Sequence, residues 1–133
     1  MFTHIHHVNL LVRDLDRAMA RYRDLLAIDS FEVADLPARG VRTARFRVGE
    51  SWLVLVQPTD PDGVPGRHLA EHGEGLFLLS LGVESLASAT RTISSRGGRF
   101  TADAPRDGLD GWRIIDLETE QFFGITLQIC EEN

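Results

Sequence analysis

The residues best suited to take part in chemistry are the histidines at the start of the chain, His4, His6 and His7. Histidine titrates near neutral pH and is a common metal ligand, so each could act as a proton acceptor or bind an ion. In a strand, His7 would lie on one face and His4 and His6 on the other, where that pair could chelate. His68 and His72 have helical i, i+4 spacing. Solvated or packing roles remain the alternative for both pairs.

A second candidate group contains arginines. If residues 41–48 form a strand, Thr43, Arg45 and Arg47 share one of its faces. A guanidinium can form two parallel hydrogen bonds with a carboxylate or phosphate, so this face could bind an anion. The alternative is that both arginines are solvated at the end of the sheet. Trp52 could line the same face or fill the core.

The element that positions His7 occurs twice. Residues 7–18 and 78–89 match at an offset of 71, from position 7 to position 78, and His7 in the first copy becomes Leu78 in the second. In each copy an apolar alternating stretch leads to Asp14 or Ser85. These side chains are typical helix N-caps, because their oxygens accept a bond from a backbone N–H of the first turn.

Extending the pattern predicts a doubled βαβββ arrangement. The predicted strands are 5–12, 30–35, 41–48, 51–57, 76–83, 99–103, 112–117 and 122–130, and the helices are 15–27 and 86–96. The expected fold class is α+β, with tandem βαβββ modules forming a curled mixed sheet and helices on its outer face. We expect one domain over 1–133, with module 1 at about 1–58, a connector at 59–75 containing a possible helical turn at 67–72, and module 2 at about 76–133.

Because successive side chains of a strand point to opposite faces, each predicted strand has residues expected in the core and residues expected on the binding face. The expected core includes Ala44, Phe46 and Val48 in one strand and Phe123, Ile125, Leu127 and Ile129 in another. The other face is mixed and polar, as in a site for a small molecule. Its candidate ligand-binding residues are His7, Asn9, Thr43, Arg45, Arg47, Trp52, Val54, Leu78, Ser80, Thr126 and Gln128.

The composition of the chain indicates where the protein is located and which classes of partner are excluded. The chain has 43% hydrophobic residues, no apolar run that approaches the ~20 residues of a membrane span, and no signal-peptide pattern at its start, so we expect a cytoplasmic protein. Its single cysteine, Cys130, cannot form an internal disulfide. The net charge of −6 and the absence of a basic run argue against nucleic acid as a partner.

The doubled pattern resembles the vicinal oxygen chelate superfamily, which includes glyoxalase I, bleomycin-resistance proteins, extradiol dioxygenases and methylmalonyl-CoA epimerase. The epimerase group is the nearest match. The resemblance covers almost the whole chain, and the stretches that carry it are His7-Val8, Val12 to Asp16 with Ala18, Gly40-Val41, Leu53 to Pro58, His68-Leu69, Gly73 to Leu76 and Gly124 to Gln128.

The resemblance implies positions for a divalent metal and for a base. The family's four metal ligands fall on His7, Val54, Leu78 and Gln128, and the epimerase base falls on Thr43. Valine and leucine offer no donor atom, and a threonine hydroxyl is not a base near neutral pH. We therefore expect no metal or other cofactor, with a divalent metal only under an alternative interpretation.

Three functions remain open. The first is binding of a small organic, anionic molecule in the sheet cleft, as in bleomycin-resistance proteins. The second is a metal-dependent isomerase or lyase of the epimerase or glyoxalase type, and the third is a metal-free enzyme with His7 as general base. We also expect a homodimer, with the strand that contains His4 to His6 as a candidate edge for pairing.

Overall fold

The structure is a computed structural model that describes residues 1–132, and its chain divides into two compact units. The central unit is Val8–Phe77, and the terminal unit consists of residues 1–7 and 78–132. The strands are β1 (Phe2–Leu11), β2 (Glu32–Leu36), β3 (Val41–Val48), β4 (Ser51–Pro58), β5 (Gly75–Val83), β6 (Arg106–Asp107), β7 (Arg113–Asp116) and β8 (Leu127–Glu131). The helices are α1 (Leu15–Leu26), α2 (Val64–His72) and α3 (Leu86–Ser95).

The doubled strand–helix pattern is present as predicted. The Asp14 side chain accepts a bond from the Arg17 N–H, and the Ser85 side chain accepts the equivalent bond from the N–H of the third residue after it. The first residue of each helix is held in the same way. The Leu15 N–H donates to Gln57 Oε1 at 2.7 Å, and the Leu86 N–H donates to a glutamate oxygen of β8 at 2.8 Å. These bonds satisfy helix N–H groups that have no partner within the helix.

The central unit contains the strand order β2-β3-β4-β1, and β2–β3 and β3–β4 are antiparallel. The amphipathic helix α1 packs on one side of these strands. Leu15, Ala44 and Leu55 form the fully buried centre of this core, with Leu10 and Tyr22 among the residues packed around it. The side chains of β3 and β4 that alternate with Ala44 and Leu55 face the other side, which creates the polar face expected from the sequence.

The terminal unit contains the order β1-β5-β8-β7-β6 and has the same design. β5 and β8 are parallel, whereas β7 is antiparallel to both β8 and β6, so the pairing is mixed. Helix α3 contributes Leu86 and Ala89 to a core with Val83, Ile115 and Ile129. The α+β class and the mixed sheet with helix-covered cores are therefore confirmed.

The second half of the terminal unit differs from the sequence prediction. Residues 99–103 form only one bridge, between Phe100 and Leu117, and β8 begins at Leu127 instead of 122. Residues 119–122 form a short 3₁₀ turn, after which Phe123 has a left-handed backbone with φ 60°. Phe123 is consequently 98% exposed, and Ile125 is also exposed. The prediction that both belong to the core is wrong, because the turn interrupts the alternation on which it depended.

Three smaller differences concern the central unit and β1. Val48 lies at the end of β3 and is exposed, so it is not a core residue as predicted. The connector contains the full helix α2, where a Cβ on Gly66 would come within 2.2 Å of the Asp60 carbonyl oxygen. Strand β1 has hydrogen-bonded neighbours on both sides, β4 and β5, so it is not the free edge that was predicted.

Within residues 1–132, no helix has the length and apolar character needed to cross a membrane.

Candidate functional site

The polar face of the central unit is built around Trp52. The Arg45 guanidinium lies over one part of the indole at 4.5 Å from the ring centroid, and the Arg47 guanidinium lies at 4.3 Å. Arg45 is only 5% exposed, and its Nη2 donates to Glu32 Oε2 at 2.7 Å. The Glu32 side chain is 62% exposed. A buried cation thus binds a carboxylate that reaches it from the solvent side.

The pairing of β3 with β4 explains this arrangement. Arg45 lies opposite Val54, Arg47 opposite Trp52 and Thr43 opposite Val56. Thr43 is buried, and its hydroxyl donates to the Ala34 carbonyl at 3.2 Å. Val54 is buried as well, so this face presents two cations, an indole, a hydroxyl and hydrocarbon. Arg47 is exposed, and its guanidinium donates to the Glu50 carbonyl.

One further polar atom belongs to the central unit. The Oδ1 atom of Asn9 on β1 is buried and has no hydrogen-bond partner among the described residues. A buried acceptor without a partner is costly, since water satisfied it in the unfolded chain. Such an atom is a natural contact for a donor group of a bound molecule.

In the terminal unit, the polar residues lie where β5, β8 and β7 pair. Ser80 is opposite Gln128, and Gln128 is opposite Asp116. The Gln128 amide donates to Asp116 Oδ1 at 2.9 Å, and Arg106 forms an ion pair with the other Asp116 oxygen at 2.9 Å. Ser80 Oγ and Gln128 Oε1 are buried and have no hydrogen-bond partner within residues 1–132. These two oxygens can receive a polar group of a ligand or an ordered water.

The same unit contains a cluster of His6, His7, Trp112 and Cys130, all of which are buried. The two imidazoles approach through their Nδ1 atoms at 2.9 Å, so one nitrogen donates and the other accepts. The indole of Trp112 stacks on His7 at 4.7 Å with an interplanar angle of 22° and meets His6 edge-on at 4.5 Å. Burial, and then the charges of two nearby glutamates, raise the pKa of the Cys130 thiol to about 12.

Other predicted residues lie outside these groups. Thr126 precedes β8 and accepts a backbone bond from Leu79 through its carbonyl. Leu78 is buried on β5. The rings of His68 and His72 on α2 lie 4.4 Å apart and are tilted by 41°. Burial and then the neighbouring His72 lower the pKa of His68.

Sequence reasoning missed several residues of these groups. His6 was considered only as a chelating partner of His4, and Cys130, Trp112, Glu32 and Asp116 had no assigned role in a site. The alternation rule had placed His6 on the face opposite His7, yet the two rings meet. The available signal was the position of Cys130 two residues after Gln128, which puts both side chains on the same face of β8.

Residues 6–115 match the sequence profile of the Glyoxalase/Bleomycin resistance protein/Dioxygenase superfamily, in agreement with the doubled fold. The chain belongs to this family. Among curated proteins it is 25% identical to the mitochondrial methylmalonyl-CoA epimerase of Mus musculus, over 94% of this chain and 71% of that protein.

Solved structures give the same relationship. A variant of the Streptomyces coelicolor methylmalonyl-CoA epimerase in complex with 2-nitronate-propionyl-CoA is 28% identical, with a TM-score of 0.94 and 99% of both chains covered. The methylmalonyl-CoA epimerase of Mycobacterium tuberculosis is 26% identical at the same TM-score, over 99% of this chain and 89% of that one. Within the family, the chain is closely related to the methylmalonyl-CoA epimerases.

The expectation that no cofactor is bound is contradicted. The relatives are epimerases, the group whose resemblance implied a metal, and His6, His7 and Cys130 place three possible ligand atoms within 4.8 Å of one another. The expectation failed because it considered only the four positions implied by the family. Two nitrogens and one sulfur fit a zinc-like ion.

Proposed function

We propose that the protein binds a small organic anion through the polar face of the central unit, with Arg45 as the principal contact. The observation that carries this proposal is the 2.7 Å contact between the Arg45 guanidinium and Glu32, because it places a carboxylate against a buried cation. Glu32 is on edge strand β2 and is mostly exposed, so a ligand carboxylate can compete for the guanidinium while the Glu32 carboxylate returns to solvent. Stacking on Trp52 keeps the guanidinium in place.

The proposed ligand is an acyl thioester, or a related molecule, that carries a carboxylate. The names of similar solved structures support this class, since they are complexes with 2-nitronate-propionyl-CoA and with methylmalonyl-CoA. Methylmalonyl-CoA is therefore the first probe, and propionyl-CoA, which lacks only the carboxylate, is the matched control. Preference for methylmalonyl-CoA would assign the contact to the carboxylate.

Replacing Arg45 tests the contact directly. We expect Arg45→Ala to weaken binding of methylmalonyl-CoA by about 1.5–3 kcal/mol, the range for a hydrogen bond to a charged group. Glu32→Gln should tighten binding, because it removes the competing charge. Isothermal titration calorimetry measures both, and circular dichroism checks that the variants fold.

Arg99→Ala is the control for a general loss of positive charge. Arg99 is exposed and pairs with Glu118 in the terminal unit, so this change should leave binding unaltered. Unchanged affinity in Arg45→Ala, in Arg47→Ala and in the double variant would show that the arginines do not bind the ligand.

A second candidate function is an isomerase or lyase of the epimerase or glyoxalase type. Its support is the buried pair of His6 and His7, whose Nδ1 atoms lie 2.9 Å apart, because an imidazole can accept and donate a proton near neutral pH. In this scheme His7 would take a proton from the carbon next to the thioester carbonyl. Hydrogen exchange at that carbon distinguishes this enzyme from a binding protein.

We also propose that the protein is a homodimer. β2 and β6 are the edges of the sheet order, and an edge strand has backbone groups that can pair with a second chain. We expect sedimentation velocity at micromolar concentration to give twice the mass of one chain. A monomer that still binds the ligand would refute the dimer and leave the binding proposal intact.

A further inference from the structure

The imidazoles of His6 and His7 and the thiol of Cys130 form a compact group with only 1%, 3% and 0% exposure, respectively. Two adjacent residues of β1 provide the nitrogens, and β8 provides the sulfur. The three ligand atoms lie within 4.8 Å of one another. Potential ligands from opposite ends of the chain thus meet in the interior of the terminal unit.

These distances are close to those of an ion site. With zinc bonds of about 2.0–2.1 Å to nitrogen and about 2.3 Å to sulfur, tetrahedral ligand atoms lie about 3.3–3.6 Å apart. The longest separation in the group must therefore shorten by about 1 Å. The Nδ1 atoms of the two histidines lie 2.9 Å apart and must separate by about 0.5 Å. Ion binding therefore requires small rotations of these side chains.

The surroundings of the group also resemble those of a metal site. Glu132 Oε2 lies 3.3 Å from Nε2 of His6, the nitrogen that does not contact His7, at an ion-pair distance but without hydrogen-bond geometry. A histidine that binds a metal through one nitrogen usually donates its other N–H to a carboxylate or carbonyl, which fixes the tautomer and the ring orientation. Trp112 packs against both imidazoles and limits access of water.

We propose that His6, His7 and Cys130 bind one thiophilic divalent ion such as Zn²⁺, and that Glu132 is a positioning residue that orients His6. This set shares only His7 with the four positions implied by the family. Thiolate and imidazole donors favour zinc or cobalt, whereas Mg²⁺ and Ca²⁺ require oxygen ligands. Binding replaces the proton of the Cys130 thiol with the ion. The proposal is independent of anion binding at Arg45.

The test is titration of the untagged full-length chain, previously treated with a chelator, with Co²⁺ under anaerobic conditions. We expect one equivalent of Co²⁺ to produce a near-ultraviolet band from thiolate-to-cobalt charge transfer and intense visible bands of tetrahedral cobalt. Zn²⁺ should abolish both, and Mg²⁺ should not. Because Cys130 is the only cysteine of the chain, the wild-type spectrum by itself identifies the sulfur ligand.

Variants separate binding from positioning. Cys130→Ser should remove the charge-transfer band, whereas Glu132→Gln should keep the band and weaken the affinity by about 10–100-fold, as expected for an outer partner of a ligand histidine. His68→Ala is the control, because His68 belongs to a separate histidine pair on α2.

Two outcomes would overturn the proposal. The first is wild-type protein that binds no Co²⁺ or binds it without a charge-transfer band, which would make the group a packed neutral cluster. The second is loss of binding in His68→Ala, which would place the ion on α2. Full affinity in Glu132→Gln would refute the role of Glu132 alone.

Discussion

Incubation of the protein with methylmalonyl-CoA in deuterated water is expected to give only trace exchange of the hydrogen next to the thioester carbonyl. The position that the resemblance assigns to the epimerase base is Thr43, whose hydroxyl donates to the Ala34 carbonyl. A positioned general base contributes roughly 10²–10⁴-fold to a rate. The exchange rate should therefore fall below the ordinary enzymatic range of about 1–10³ per second by a comparable factor. Mass spectrometry of the recovered thioester measures the exchange.

Two variants test whether the missing carboxylate at position 43 limits the exchange rate. Thr43→Glu returns a carboxylate to this position and should raise the exchange rate, whereas Thr43→Val, of similar shape, should not. Wild-type exchange at an ordinary enzymatic rate would contradict the prediction. If that exchange were lost in His7→Ala, the protein would be an enzyme that uses His7 as its base.

Replacing Leu55 by alanine should cause a large decrease in the free energy of unfolding. Leu55 has no exposed surface and packs with Leu15 and Ala44 at the centre of the core beneath α1. Replacing a fully buried leucine by alanine costs about 2–5 kcal/mol, from lost hydrocarbon burial and from the cavity that remains. Urea denaturation of Leu55→Ala, followed by circular dichroism, measures the change in the free energy of unfolding.

Leu25→Ala is the matched control, because Leu25 lies on α1 but is 70% exposed. Its free energy of unfolding should stay within about 0.5 kcal/mol of the wild-type value. A loss below about 1 kcal/mol for Leu55→Ala would show that the core of the central unit is not packed as described.

The local parts of the fold could be predicted from the sequence. The N-caps Asp14 and Ser85 were predictable because a cap depends on residues only a few positions apart. The apolar faces of the helices were predictable for the same reason. The face shared by Thr43 and Arg45 followed from strand alternation. Prediction failed near Phe123, where a 3₁₀ turn and a left-handed residue replace the strand.

The sequence by itself determined the doubled unit, its two capped helices α1 and α3, the family, and the histidine and arginines to be considered. Only the tertiary structure decided that Arg45 is buried against Trp52 and Glu32, and that His6 meets His7 and Cys130. The physical reason is that burial and side-chain contact depend on which strands pair. β1 and β8 lie at opposite ends of the chain, and no local pattern encodes that a thiol of one will lie beside the imidazoles of the other.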